Sequence, residues 1–315
     1  MRRSGDWNAK QEVRVGLVQV VSSIAELRSV LDRVRFGGGS VGFVPTMGYL
    51  HDGHASLIRR SVTDANTITA VTIFVNPLQF AANEDLAAYP RDLDRDLALC
   101  EASGAGIVLT PSVEEMYPSA ILTTVSVAEV SGRMEGAARP SHFAGVATVV
   151  AKLFNIVGPC RSYFGEKDYQ QLAVIETMAH DLNVPVEVVG CPIVRESDGL
   201  AMSSRNVYLS AEERVASRCL SAALTTIVDA IESGELSEPG AIGRALAASI
   251  EAEPLAVLDY AEVVDPRTLA PLVERLRVGD EARLIVAAQV GRPRLLDNMG
   301  ATFGMARRTE IAADD

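Results

Sequence analysis

The chain has 315 residues, 48% of them hydrophobic and 22% charged, enough to bury one large core or two smaller ones. Its 29 Lys and Arg stand against 41 Asp and Glu, and the formal net charge of −12 argues against non-specific nucleic-acid binding while leaving room for a local cationic pocket. No run of about 18 apolar residues is available to span a membrane, no signal-length apolar stretch follows the basic start Met1-Arg2-Arg3, and the four cysteines show no CxxC spacing, so a soluble cytoplasmic protein with free thiols is expected.

In chain order, Ser23 with Glu26 gives a capping-box start to a helix in which Ile24, Leu27, Val30, Leu31 and Val34 repeat at helical spacing. Gly37-Gly38-Gly39 ends it. A buried strand is expected over residues 41–44, a helix over 54–63 and a strand over 67–75. Pro90 precedes a helix marked by Leu93, Leu97 and Cys100, and residues 107–109 read as a short strand. Residues 144–156 read as a helix buried nearly all round; a strand (162–164), a helix (170–182) and a strand (186–189) follow. This alternation predicts an α/β domain over residues 1–193: a Rossmann-like parallel sheet with helices on both faces. From residue 194 the character changes. Ser210 with Glu213 opens a long helix, residues 234–240 read as a loop, and residues 257–264 and 283–288 read as strands. A smaller C-terminal α+β domain is expected over 194–315, with residues 301–315 aperiodic and loosely ordered.

Gly37-x-Gly39-x-x-Gly42 matches the dinucleotide fingerprint letter for letter. It follows a helix and opens a strand, the reverse of the context that the fingerprint needs, so it reads as a loop.

Two of only four histidines lie three apart in Val44-Pro45-Thr46-Met47-Gly48-Tyr49-Leu50-His51-Asp52-Gly53-His54, where a strand gives way to a helix expected to begin at His54. Free N–H groups and the helix dipole suit that place to an anion, and two imidazoles there can donate to phosphate oxygens. A zinc pair wants i, i+4 spacing with a glutamate between; here the spacing is i, i+3 and Gly53 is expected to break the turn. A pair without chemistry is the third reading. Three more polar clusters sit at strand ends: Asn76 and Gln79 in Phe74-Val75-Asn76-Pro77-Leu78-Gln79-Phe80; Gly165-Glu166-Lys167-Asp168-Tyr169-Gln170-Gln171; and Gly199-Leu200-Ala201-Met202-Ser203-Ser204-Arg205-Asn206. Ligands of parallel sheets bind beyond the carboxyl ends of strands, where these clusters fall. Hydroxyls beside an arginine suit pyrophosphate. The alternating Asp92, Asp94 and Asp96 read as a solvated first helical turn.

These segments resemble the pantothenate synthetase (pantoate–β-alanine ligase) family of the nucleotidyltransferase superfamily. The similarity runs through residues 45–54, 74–80, 89–91, 142–171, 195–210 and 260–266, with Gly145-Val146-Ala147-Thr148-Val149-Val150-Ala151-Lys152-Leu153-Phe154 especially specific; Ser141 stands where the family more often carries Gly. The resemblance implies ATP-dependent condensation of pantoate with β-alanine through pantoyl adenylate, releasing pyrophosphate and AMP. It implies that His51 and His54 contact the phosphates, with His54 in the proton-donor position, and that Lys167 does likewise. It makes Ser203, Ser204 and Arg205 the counterpart of the mobile signature loop of class I aminoacyl-tRNA synthetases. It places Met47, Gly48, Tyr49, Leu50, Asp52, Gly53, Gly165, Glu166, Asp168, Val194 and Met202 around ATP, and Gln79 and Gln171 on pantoate, Gln79 also near β-alanine. Mg²⁺ is implied, held by phosphates and water with no protein ligand, and so is a homodimer. A relative acting on a phosphorylated acceptor would need further Arg or Lys, which the Gln79/Gln171 pair argues against. A binding module without catalysis would be expected to lose His54 or Lys167.

Overall fold

The structure is a computed structural model that describes residues 18–80, 86 and 89–305. Six parallel strands form the main sheet: β1 (Gln19–Val21), β2 (Val41–Thr46), β3 (Ile68–Ile73), β4 (Ile107–Leu109), β5 (Cys160–Gly165) and β6 (Val186–Cys191). Their order across the sheet is β1-β4-β3-β2-β5-β6. From β2 the chain winds one way through β3 and β4, and it returns to the other side of β2 with β5 and β6. The direction of winding therefore reverses between β2 and β5, which opens a crevice beyond the carboxyl ends of those two strands.

Strand residues alternate between the two faces, so both faces need an apolar cover. Phe43, Ala70 and Ile107 pack against α1 (Ile24–Phe36) and, later in the chain, the helix over His142–Val157 and that over Tyr169–Asp181. Val44, Val71, Val108 and Tyr163 face the opposite way, toward α2 (Asp52–Thr63) and α3 (Leu93–Ala102). Two single-turn helices, α4 (Val113–Met116) and α5 (Glu135–Ala138), lie between β4 and α6 (His142–Val157). Eleven of the 16 residues of α6 are buried, which makes it the central helix of its layer, as its nearly uninterrupted apolar sequence predicts. Helix α7 (Tyr169–Asp181) joins β5 to β6.

Beyond residue 191 come α8 (Ala211–Ser217), α9 (Cys219–Glu232), α10 (Pro239–Glu251) and an antiparallel sheet of β7 (Ala256–Val264), β8 (Glu281–Val290) and β9 (Arg294–Thr302). They enclose their own apolar cluster around Leu224, Leu246, Leu284 and Val286. Among the described residues no helix is long and apolar enough to cross a membrane.

The capping box at Ser23 and Glu26 forms as expected, Gly37 caps α1, and the glycine triplet leads from a helix into β2. Four expectations are corrected. The helix opened by Ser210 is divided at Arg218, whose N–H bonds back to Val215 and Ala216 and tightens the turn. The loop expected over 234–240 ends early, because Pro239 occupies the first position of α10, where a missing N–H costs nothing. Residues 301 and 302 are not loose but complete β9, paired with Ala282 and Glu281; residues 306–315 lie outside the described part. Gly53 does not break a turn: α2 begins at Asp52, with His51 as its N-cap.

Candidate active site at the sheet switch point

The chain leaves β2 through a turn that needs unusual backbone. Gly48 has φ of 84° and Tyr49 of 51°, and the Asp96 carboxylate holds this turn by accepting from Tyr49 N (2.7 Å) and Leu50 N (2.6 Å). Asp96 is 1% exposed, so it does not belong to a solvated acidic run as its spacing suggested. Asp92 does fit that reading, capping α3 through Arg95 N. The turn delivers His51 to the N-cap of α2, where its Nδ1 accepts from Gly53 N (3.2 Å), while His54 Nδ1 accepts from His51 N (3.3 Å). Both Nδ1 atoms are thus engaged as acceptors, which assigns the ring proton of each neutral imidazole to Nε2. The ring centroids are 4.2 Å apart. Burial, then the charge of Lys167, lowers the His51 pKa from 6.5 to about 4; burial, then His51, lowers that of His54 to about 3. At neutral pH the pair is therefore two uncharged N–H donors.

Across the crevice β5 ends at Gly165 and passes into a 3₁₀ turn, Glu166–Asp168, that carries Lys167. Lys167 Nζ lies 3.2 Å from Asp168 Oδ1. A third segment closes over them. Residues 195–201 make a small hairpin bridged at Arg195 and Ala201, and Met202 N bonds Val194 O at 3.0 Å. Ser203 then caps the 3₁₀ turn Ser204–Tyr208 by accepting from Arg205 N. Ser204 hydrogen-bonds Tyr89, whose phenol is pushed up to about 12, chiefly by burial.

The Gln79 amide sits at the end of a short turn after β3 and is 8% exposed. Asn76 orients it: Asn76 Nδ2 donates to Gln79 Oε1 and to Gly145 O, both at 3.2 Å, and Asn76 Oδ1 accepts from Tyr117. Gly145 is required here, since a Cβ would collide with the Leu78 carbonyl. In the first turn of α7, Gln170 turns inward to hold the carbonyls of Val130 and Arg133, whereas Gln171 lines the crevice.

These segments surround one cavity of about 610 Å³. Of the residues singled out from the sequence, Met47, His51, Gly53, His54, Gln79, Gly165, Lys167, Asp168, Gln171, Val194, Met202, Ser203, Ser204 and Arg205 line it. Gly48, Tyr49, Leu50, Asp52 and Glu166 do not. Leu50 is in the core, and Glu166 points away to Arg283. A family model for pantoate–β-alanine ligases matches residues 19–300, the whole of this architecture.

The chain belongs to the pantoate–β-alanine ligase family. A pantothenate synthetase from Heliobacterium modesticaldum is 50% identical over 282 residues, covering 90% of this chain and 99% of the relative. One from Roseiflexus castenholzii is 51% identical over 281 residues, covering 89% and 98%. The crystal structure of pantothenate synthetase from Thermus thermophilus superposes with a TM-score of 0.82 at 48% identity, covering 90% of this chain and 99% of that one. A pantoate–β-alanine ligase from Francisella tularensis, complexed with βγ-ATP and β-alanine, gives a TM-score of 0.71 at 29% identity, covering 90% and 97%.

For a ligase of this family, the sequence reading missed several cavity residues: Glu135, Arg139, His142, Arg292 and Arg294. His142 Nδ1 lies 3.1 Å from Gln79 O, and Arg294 bridges Glu135 and Asp259. The signal was present for His142, which opens the matching segment 142–171. It was faint for Arg294, whose partners are 35 or more positions away. Among the described residues no group of three or more His, Cys, Asp or Glu is placed to hold a metal.

Proposed function

We propose that this protein condenses pantoate with β-alanine to pantothenate at the expense of ATP, through enzyme-bound pantoyl adenylate. The observation that carries this reading is convergence: an imidazole pair after β2, an ammonium after β5 and a guanidinium from the 203–205 loop face one cavity at the switch point of the sheet. In the first step a pantoate carboxylate oxygen attacks the α-phosphorus of ATP, and the bond to the bridging oxygen of pyrophosphate breaks. Two anions must be brought together, and negative charge grows on the leaving group. His51 and His54 meet that charge with Nε2–H donors that need no ionisation, Lys167 and Arg205 supply fixed positive charge, and Ser203 and Ser204 add hydroxyls. The role of His54 is thus hydrogen-bond donation by a neutral ring. In the second step the β-alanine amine attacks the acyl carbon; the C–O bond to AMP breaks and a proton leaves the nitrogen.

Gln79 and Gln171 would hold pantoate. Gln79 is buried and Gln171 half-buried, and such an amide pair suits a hydroxy acid, because an analogue lacking the hydroxyl leaves an amide unpaired. The cavity offers Lys and Arg rather than a carboxylate cage, which fits a Mg²⁺ that arrives on the triphosphate, neutralising part of its charge, with phosphates and water as ligands. We read residues 1–193 as the nucleotide-binding domain and 194–315 as a smaller domain that completes the site, in a cytoplasmic homodimer. Product analysis tests the activity. Incubation with ATP, Mg²⁺, D-pantoate and β-alanine is expected to yield AMP, pyrophosphate and pantothenate; ADP with phosphate in their place would refute the mechanism.

A further inference from the structure

Two adjacent residues of β9, Asp297 and Asn298, hold two separate walls of the cavity from behind. Both are buried, at 2% and 1% exposure. Asp297 takes Arg195 in a bidentate pair (2.7 and 2.9 Å), and Arg195 also donates to Gly199 O at 3.1 Å, so this carboxylate fixes the base of the hairpin that presents residues 202–205. Asn298 points to the other wall. Its Nδ2 donates to the carbonyls of Glu166 (2.9 Å) and Lys167 (2.8 Å), the two consecutive acceptors of the turn that aims Lys167. The amide is itself locked. Its Oδ1 accepts from Arg283 Nε at 2.8 Å; Arg283 also pairs with Glu166 at 3.1 Å and stacks on the Tyr169 ring at 3.9 Å. Asn298 N bonds Asp297 Oδ1 at 2.8 Å, which joins the two halves. Successive side chains of a strand point to opposite faces, so one dipeptide can grip two segments that approach from different sides.

We propose that Asp297 and Asn298 are positioning residues for adenylation: they set the distance between the Lys167 ammonium and the Ser203–Arg205 loop across the triphosphate. This rests on the reading of Lys167 as a phosphate-binding group. Neither residue lines the cavity; each acts through the segment it holds. The C-terminal sheet is on this account part of the catalytic frame, not an appended module. A side chain that only stabilised the fold would lower the melting temperature without a selective effect on the step that Lys167 serves. A frame residue acts through the group it positions: Asn298, which acts through Lys167, has no effect of its own once that ammonium is gone.

A double-mutant cycle on the full chain tests this, with ATP-dependent pyrophosphate release in the presence of pantoate as the readout. Asn298→Ala is expected to cut the adenylation rate about ten-fold or more, the scale for displacing a charged group by a fraction of an ångström. Asn298→Asp keeps the acceptor for Arg283 but presents an oxygen to the Glu166 and Lys167 carbonyls; it is expected to be as slow while retaining a cooperative melt, which separates the effect from misfolding. In a Lys167→Ala background, adding Asn298→Ala is expected to change the residual rate by less than about two-fold, because the coupled pair loses the same interaction only once. Full multiplicative loss in the double variant, or a near-normal rate in Asn298→Asp, would overturn the proposal and leave the phosphate role of Lys167 standing. A Lys167→Ala enzyme with unchanged adenylation would overturn that role, and the proposal with it.

Discussion

Replacing Asp96 by Asn isolates the contact that shapes the histidine turn. The carboxylate accepts two short bonds, from Tyr49 N and Leu50 N at 2.7 and 2.6 Å, at a site 1% exposed. An amide offers one oxygen, so the second N–H must face an NH₂ group. Losing one charge-assisted bond costs about 1.5–3 kcal/mol and stranding a buried donor about 1–3 more. Against this, burial raises the Asp96 pKa, and the neutral amide escapes that penalty on a buried charge. We expect a net loss of about 2 kcal/mol of stability, or a melting temperature lower by about 4 °C. The turn leads directly into His51, so the adenylation rate at about 25 °C, well below the melt, should fall by about ten-fold. Calorimetry and pyrophosphate release measure the two effects. Asp92→Asn and Asp94→Asn are the controls: Asn caps a helix as well as Asp does at position 92, Asp94 is an exposed residue of the first turn, and both should stay within about 0.5 kcal/mol of the parent. An Asp96→Asn protein that melts and turns over like these controls would show that the carboxylate does not shape the turn.

His54→Ala should lower adenylation by about 10²–10³ with the fold intact, the usual loss for one transition-state donor; near-normal turnover would remove His54 from the chemistry. Gln79→Ala should raise the pantoate KM while leaving the ATP KM unchanged, and steady-state kinetics with each substrate varied would contradict the assignment if pantoate affinity held. Acid should destabilise the protein through the histidine pair. Their pKa values fall from 6.5 in the unfolded chain to about 4 and about 3 in the folded one, so between pH 6.5 and 4 the unfolded chain binds protons that the native state refuses. Stability present above pH 6.5 is lost on acidification by up to about 1.4 kcal/mol per pH unit for each ring. Denaturant melts of a His51→Gln/His54→Gln variant should show a shallower acid slope; an unchanged slope refutes the burial argument.

The main sheet was legible because its signals are local. Ser23 with Glu26 caps α1, and the apolar runs at 41–44 and 107–109 can only be strands of a sheet covered on both faces. The strand-end clusters carrying His54, Gln79 and Lys167 were legible for the same reason: a polar residue just past a buried strand stands out against its neighbours. What failed was non-local or low in contrast. Helix α10 opens with Pro239 and is diluted by Gly240, Gly243 and several alanines, so its apolar stripe of Ile242, Leu246 and Ile250 hardly shows in the sequence. Strand β9 opens on Arg294 and carries Asp297 and Asn298 in its interior, which masks the alternation. Asp96 was misread because sequence cannot tell a carboxylate facing water from one facing two backbone amides 46 and 47 positions away. The family resemblance supplied the roles proposed for Ser203, Ser204 and Arg205, which spacing alone leaves among ordinary loop residues.

The cavity draws on both ends of the polypeptide: Met47 and His54 come from its first fifth, Arg292 and Arg294 from its last tenth. During synthesis the nucleotide side emerges long before its opposite wall. A nascent polypeptide can wind the parallel sheet and still hold an unfinished pocket, and any premature stop ahead of β9 leaves it open on one flank. A product that stops there lacks Arg294, Asp297 and Asn298, and with them the ties to Glu135, to Arg195 and to the turn that carries Lys167.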